Sequence, residues 1–178
     1  MKDRKTILAI SGSIREGSSN ELIIKSIAQQ FPSADWKVYK GLSELPYFMP
    51  ATAEDKIPDA VREWIRTIEA ADGVVICTPE YVFSVPGVLK NALEWTVATT
   101  VFSEKPVALI TASSLGEKGH ESLLLILRTL GANITNTELL VSGVRARIDI
   151  KGNFTDSNTE KAIAHLINRF LQQIESTR

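Results

Sequence analysis

Short apolar runs alternate along this chain with longer stretches in which apolar residues recur every three or four positions. Thr6 to Ile10 is a continuous apolar run that halts at Ser11-Gly12, as a strand buried on both faces would. From Leu22 to Phe31, the residues Ile23, Ile27 and Phe31 share one helical stripe, with Ile24 and Ala28 beside it. Trp36 to Tyr39 predicts a weaker second strand. Leu42 to Ile57, punctuated by Pro46, Pro50 and Pro58, predicts a loop. Val61, Trp64, Ile65 and Ile68 then space out a helix, and Gly73 to Cys77 predicts a third buried strand. Pro86 is expected in the first turn of the next helix, where a missing N–H costs little, with Leu89, Ala92 and Leu93 turned inward. Val107 to Thr111 predicts a fourth strand, Glu121 to Leu130 a helix ending at Gly131, and Glu138 to Val141 a fifth strand. The last helix carries Ile163, Leu166, Ile167, Phe170, Leu171 and Ile174 in a strongly amphipathic pattern.

Five strands separated by helices imply an α/β fold with a parallel sheet covered on both faces, because each parallel crossover needs a helix. Right-handed crossovers then favour a doubly wound arrangement. Such folds bind ligands outside the carboxyl ends of their strands, at the switch point of strand order. The loops after the first, third and fourth strands are therefore the ones to inspect. No repeat, linker or low-complexity segment divides the chain, and residues 1–178 are read as a single domain.

Composition narrows the function classes. The formal net charge is −1, with acids and bases interspersed and no basic stripe carrying aromatics, so nucleic acid is not an expected partner. No apolar run is long enough to span a membrane. Met1 to Thr6 is charged, but the apolar run behind it is short and lacks a small-residue cleavage site, so a cytoplasmic location is expected. Cys77 is the single cysteine, which excludes an intrachain disulfide, and with only His120 and His165 besides, no structural zinc site is expected.

The loop after the first strand runs Gly12-Ser13-Ile14-Arg15-Glu16-Gly17-Ser18-Ser19-Asn20. Glycines let the backbone turn sharply, and hydroxyls add donors beside the free N–H groups of a helix start. That combination suits a phosphate, which the positive end of the helix dipole also favours and which Arg15 is placed to clamp. Ser18-x-x-Glu21 equally fits a capping box that implies no ligand. Gly12 to Ser19 has the glycine spacing of a nucleotide P-loop, but Ser18 stands where its lysine belongs. Ser11 and Thr78 stand where a receiver domain needs acids. Phe83 stands where a cysteine phosphatase built on Cys77 needs an arginine.

The loop after the third strand, Thr78-Pro79-Glu80-Tyr81-Val82-Phe83-Ser84-Val85-Pro86-Gly87-Val88-Leu89-Lys90-Asn91-Ala92-Leu93-Glu94-Trp95, is a proline-bounded segment presenting backbone amides, an aromatic and a carboxylate beside the phosphate loop. A planar heterocycle suits such a surface. With both loops in view, the chain resembles the NAD(P)H-dependent FMN reductase family, which includes quinone, azo-dye and chromate reductases. The family pattern reads G-S-L-R-x-x-S-x-N in the first loop and P-E-Y-N-x-S-x-P-G-x-L-K-N-A-x-D-W in the second, and the resemblance runs nearly end to end.

The resemblance implies a flavodoxin-like three-layer sandwich with strand order 2-1-3-4-5. It implies that Ser13, Arg15, Ser18 and Asn20 surround the phosphate of FMN, helped by backbone amides such as that of Ser19. It sets Pro79, Glu80, Tyr81 and Val82 along the isoalloxazine ring, and Ser113, Ser114 and Gly116 on its pyrimidine side. This chain departs from the pattern in three places. Val82 replaces an asparagine, Glu94 replaces an aspartate, and Lys118-Gly119-His120-Glu121 stands where the family has G-G-x-R.

The implied activity is hydride transfer from NADPH or NADH to FMN, then to a small-molecule electron acceptor such as FMN, a quinone, an azo compound or a metal oxyanion, by ping-pong kinetics. No residue is assigned a catalytic role and no metal is expected, since the flavin carries the chemistry. A flavodoxin-type electron carrier is the alternative, against which the near-neutral charge counts. A homodimer or dimer of dimers is expected from the family, with the helix beginning at Pro86 contributing; otherwise Lys90 and Glu94 form a solvated i,i+4 pair. Cys77 reads as buried and structural, His120 as a solvated loop residue, and His165 as a helix-surface residue. Trp64 and Trp95 read as core.

Overall fold

The computed structural model describes residues 4–50 and 57–176. Five strands form one parallel sheet: β1 (Thr6–Ser11), β2 (Asp35–Tyr39), β3 (Gly73–Thr78), β4 (Val107–Ser113) and β5 (Glu138–Ser142), in the order β2-β1-β3-β4-β5. Four helices connect them, α1 (Ser19–Gln30), α2 (Asp59–Glu69), α3 (Gly87–Glu94) and α4 (Glu117–Thr129), and α5 (Ser157–Ser176) follows the last strand. The expected doubly wound, flavodoxin-like sandwich is therefore the fold observed.

Strand alternation divides the core in two. Leu8, Ile10, Val74, Ile76, Val107 and Leu109 turn to one face of the sheet, where they meet Trp64 and Ile68 of α2, Leu89 and Leu93 of α3, and Leu123 and Leu127 of α4. Ile7, Ala9, Val75, Cys77, Ala108 and Ile110 turn to the other face, against Ile23 and Ile27 of α1 and Ile167 and Phe170 of α5. A period of two in the strands set against a period of 3.6 in the helices produces this layering. β3 is buried at every position, as a central strand covered on both faces must be.

The structure moves several expected boundaries. α1 begins at Ser19 and not Leu22, because Ser18 caps it: the Ser18 hydroxyl accepts the Glu21 N–H at 3.2 Å. α4 begins at Glu117 and not Glu121, so Gly119 and His120 are helical. Pro86 is the residue before the first turn of α3, with ψ of 135°, and not within it. At the start of the expected loop from Leu42, a 3₁₀ turn spans Gly41–Glu44; of that loop, residues 51–56 lie outside those described, as do residues 1–3 of the charged N-terminus. The segment before that gap is pinned to α3, where Asn91 Nδ2 and Trp95 Nε1 donate to the Pro46 carbonyl at 3.0 and 2.8 Å. Trp64 is fully buried and its indole N–H donates to the Ala92 carbonyl at 2.8 Å, which ties α2 to α3.

Candidate functional site

The carboxyl ends of β1, β3, β4 and β5 surround a cleft of about 150 Å³. From the loop after β1 come Ser13 and Arg15, with Ser18, Ser19 and Asn20 at the start of α1; from the loop after β3 come Pro79, Glu80 and Tyr81. Ala112, Ser113 and Ser114 line it from the end of β4, and Val144 and Arg145 from the segment after β5. The structure thus brings most of the residues expected from the sequence around one cavity. Val82 and Gly116 do not line it. Ala112, Val144 and Arg145 were not expected. A larger hollow of about 280 Å³ adjoins it on the β2 side, sharing Ser13 and Arg15 and reaching Tyr39 and Lys40; another lies at the other end of the sheet, around Glu104, Arg128 and Glu138, where this fold class does not carry its ligands.

The first loop is held so that its donors face the cleft. The Ser11 hydroxyl donates to the Ser13 carbonyl at 3.0 Å and the Ser13 hydroxyl accepts the Arg15 N–H at 3.3 Å. Glu21 accepts the Gly17 N–H at 2.8 Å and bridges to Lys25 at 2.8 Å, which holds its carboxyl below the ordinary range. The cap therefore exists without a ligand. It uses only the Glu21 amide, however, and Leu22 donates to the Ser18 carbonyl, so the N–H groups of Ser19 and Asn20 remain as donors at this helix start. Gly12 makes the close approach of β1 to β3 possible: a Cβ there would overlap the Thr78 hydroxyl and stand 2.6 Å from Thr78 Cβ.

Asn20 is 4% exposed, and its side chain is committed inside the protein. Its Nδ2 donates to the Ala112 carbonyl at 3.3 Å and its Oδ1 accepts the Cys77 thiol at 3.2 Å. Asn20 is thus a staple joining α1, β3 and β4, and it offers the cleft one remaining amide hydrogen and its backbone N–H. Burial pushes the Cys77 thiol well above its ordinary pKa, so it stays protonated and able to donate.

Glu80 lines the cleft, and its carboxylate caps α4, accepting the N–H of Gly119 at 2.7 Å and of Gly116 at 3.2 Å. Its backbone N–H donates to the Ser113 hydroxyl at 3.2 Å. This cap explains why α4 starts early. It also corrects the expectation for His120, which is half-buried in the first turn of α4 with Nδ1 2.9 Å from the Thr111 hydroxyl. Burial lowers the pKa of His120, against the raising influence of Glu138 and Glu121.

Beyond Glu80 the chain reverses in a two-residue turn closed by paired backbone bonds between Tyr81 and Ser84, both 3.0 Å. Its central residues, Val82 and Phe83, have φ of 51° and 54°. This is a left-handed conformation that Asn and Gly favour and that a β-branched residue adopts only under strain. Val82 is 96% exposed and Phe83 69% exposed, so neither packs to offset that strain. Lys90 and Glu94 pair at 2.6 Å on the outer face of α3, and His165 is exposed on α5, both as expected.

Among the described residues no group of three or more His, Cys, Asp or Glu is placed to hold a metal, and no helix is long and apolar enough to cross a membrane. The arrangement is suited to binding an anion at one end and a flat molecule along the other. It contains no nucleophile with an adjacent base.

The family model described as NADPH-dependent FMN reductase matches residues 6–145. The chain is 34% identical to a quinone reductase of Escherichia coli K12 over 152 residues, covering 81% of this chain and 80% of that one. It is 31% identical to an NAD(P)H-dependent FMN reductase of Pseudomonas aeruginosa over 170 residues, covering 92% and 91%. Its fold matches that of a flavoenzyme NAD(P)H:(acceptor) oxidoreductase of Paracoccus denitrificans with a TM-score of 0.76 at 24% identity, over 96% and 97% of the two chains.

Proposed function

The chain belongs to the NADPH-dependent FMN reductase family, an oxidoreductase family with FMN and NAD(P)H as cofactors. From that premise we propose that it passes a hydride from NADPH or NADH to FMN held in the cleft after β1, β3 and β4, and on to a small soluble acceptor that takes the donor's place. The observation that carries this reading is one cavity with hydroxyls, cations and free backbone donors at the α1 end and the flat Pro79–Tyr81 backbone at the other.

These residues fit the group. Ser13, Ser18, Ser19 and Arg15 supply polar contacts for a phosphate at a helix start, where the dipole also favours an anion. Ligand pockets ordinarily enclose roughly 300–1,000 Å³. At about 150 Å³, this cleft is smaller than that, so a flavin nucleotide lying along it from α1 to Pro79–Tyr81 would be only partly enclosed. The ring end stays open, as an enzyme that must admit donor and acceptor in turn requires. FMN, when bound, supplies the hydride chemistry itself. The protein's part is to hold the phosphate, to orient the ring with the loop Glu80 ties to α4, and to leave one ring face accessible.

Quinones, azo compounds, metal oxyanions and free FMN are the acceptor classes proposed, as is a ping-pong order of substrates. A homodimer or dimer of dimers in the cytoplasm, with the outer face of α3 in the interface, completes the reading. The deciding experiment is an anaerobic visible spectrum of the FMN-reconstituted protein before and after NADPH and then NADH. Bleaching of the flavin band within seconds supports the reductase. A bound flavin that neither nucleotide reduces points to an electron carrier instead, and failure to retain flavin overturns the reading.

A further inference from the structure

We propose that Arg145 is the second guanidinium of the anion end of the cleft, and that with Arg15 it selects a phosphate monoester dianion. The proposal rests on the FMN reading above. It concerns a residue outside both sequence motifs, contributed by the segment that follows the fifth strand.

The backbone there is built to hold Arg145 in place. β5 ends at Ser142, and Gly143 turns the chain with a φ of 65°, a conformation glycine adopts without strain. The Gly143 N–H donates to the Ser114 carbonyl at 3.0 Å, and the Ser142 hydroxyl donates to the Leu115 carbonyl at 2.7 Å. The turn is thereby fastened to the loop after β4. On one side of Arg145, Val144 is 6% exposed and packs in the core beneath α1 and α5. On the other, Arg147 donates to the Ser142 carbonyl at 2.7 Å and to Asp156 at 2.7 Å. Arg145 sits between these anchors and lines the cleft together with Ser13, Arg15 and Ser18.

The charge balance identifies the ligand class. Arg147 is neutralised by Asp156, but among the described residues neither Arg145 nor Arg15 has an ion pair. The one carboxylate lining the cavity, Glu80, has its two oxygens engaged with the amides of Gly116 and Gly119. Two unpaired guanidinium groups therefore line one small cavity beside the positive end of α1. Both side chains are exposed and free to turn inward, and a ligand bearing close to two negative charges can pair with both. A phosphate monoester carries about −1.5 to −2 at pH 7. The planar fork of a guanidinium matches phosphate oxygens in pairs, which a lysine does not.

The test separates the phosphate from the rest of the flavin by comparing FMN with riboflavin. Both are titrated into flavin-free protein and followed by the loss of flavin fluorescence. Arg145→Ala is expected to weaken FMN binding by about tenfold or more, the scale of one hydrogen bond to a charged group, while riboflavin affinity stays within about twofold. Arg145→Lys should fall between. Arg66→Ala, which removes an equal charge from α2, should alter neither affinity. Thermal denaturation of each variant reports whether it is folded. Equal losses for FMN and riboflavin, or no loss of either, overturn the assignment of Arg145 and leave the FMN reading intact. A wild-type protein that binds neither flavin, or both equally, removes the FMN reading and this proposal with it.

Discussion

The carboxylate of Glu80 accepts the backbone N–H of Gly119 at 2.7 Å across 39 residues of sequence, and so locks the loop after β3 to the first turn of α4. The same carboxylate takes the Gly116 N–H at 3.2 Å. Two loops that flank the candidate ring site are thus positioned by one side chain. Glu80→Ala should lower stability by about 1–2 kcal/mol, as loss of a charged cap at a helix start does. Glu80→Gln, which keeps one acceptor, should lose about half of that. Urea denaturation measures both. A Glu80→Ala variant as stable as the parent would show that the cap contributes nothing.

Val82 occupies a left-handed turn position, φ 51°, while almost fully exposed. Its side chain loses little by replacement, so Val82→Asn should stabilise the protein by about 1 kcal/mol, the strain a left-handed conformation imposes on a branched residue. The check is the denaturation midpoint at unchanged m-value. A fall in stability would mean that Val82 is covered in the functional assembly.

Gly12→Ala places a methyl group against Thr78, whose Cβ would stand 2.6 Å away. Both backbones belong to the buried centre of the sheet and cannot separate. A loss of about 3 kcal/mol or more is expected, the upper range for overpacking. Thr78→Ser should not rescue it, since the Cβ remains. Far-UV circular dichroism during thermal denaturation reads the result.

Cys77 donates to Asn20 Oδ1 at 3.2 Å, and Cys77→Ala leaves that buried acceptor unpaired. A loss of about 1–3 kcal/mol follows from an unsatisfied buried polar group. Cys77→Ser should recover part of it, because a hydroxyl also donates. The raised thiol pKa and full burial further predict that Ellman's reagent modifies Cys77 only as fast as the protein unfolds. Rapid labelling of the folded protein would contradict the burial.

His120 has a pKa lowered by burial. Its folded value therefore lies below the unfolded value of about 6.5, and the unfolded chain binds the proton more readily. The stability it contributes is complete above pH 6.5 and declines as pH falls from there through the folded pKa. The lowered carboxyls of Glu21, Asp72 and Asp156 lose their contributions only at lower pH, below their ordinary values near 4. Between pH 7 and 5 the slope should thus come chiefly from His120, and His120→Gln should flatten it in chemical denaturation at several pH values. An unchanged slope would assign it elsewhere.

Much of the site was legible because its two long segments are contiguous in sequence. Ser13, Arg15 and Ser18 lie in one loop with Ser19 at the helix start that follows, and Pro79, Glu80 and Tyr81 in another, each at the end of a strand recognisable from its apolar run. What those side chains do was less legible. Asn20 and Glu80 read as ligand contacts and do line the cleft, but their side chains are also bonded to Ala112, Cys77, Gly116 and Gly119, residues supplied by distant strands and loops. His120 read as a loop residue because the cap that starts its helix comes from Glu80, far outside any local window. Arg145 carried no signal, since nothing near it in sequence marks the cleft it lines.

The sequence by itself determined the alternation of five strands and five helices, the covering of both sheet faces, and the place of the ligand-facing loops. These follow from periodicity and local backbone preference, which act over a few residues at a time. Only the tertiary structure decided which polar groups of those loops remain free and which are consumed in holding the loops together. That partition depends on donors and acceptors brought together across 39 residues for Glu80 and Gly119 and 57 for Asn20 and Cys77. A buried polar group takes whatever partner the fold delivers to it, and the delivery is made by the sheet order and not by its neighbours in the chain.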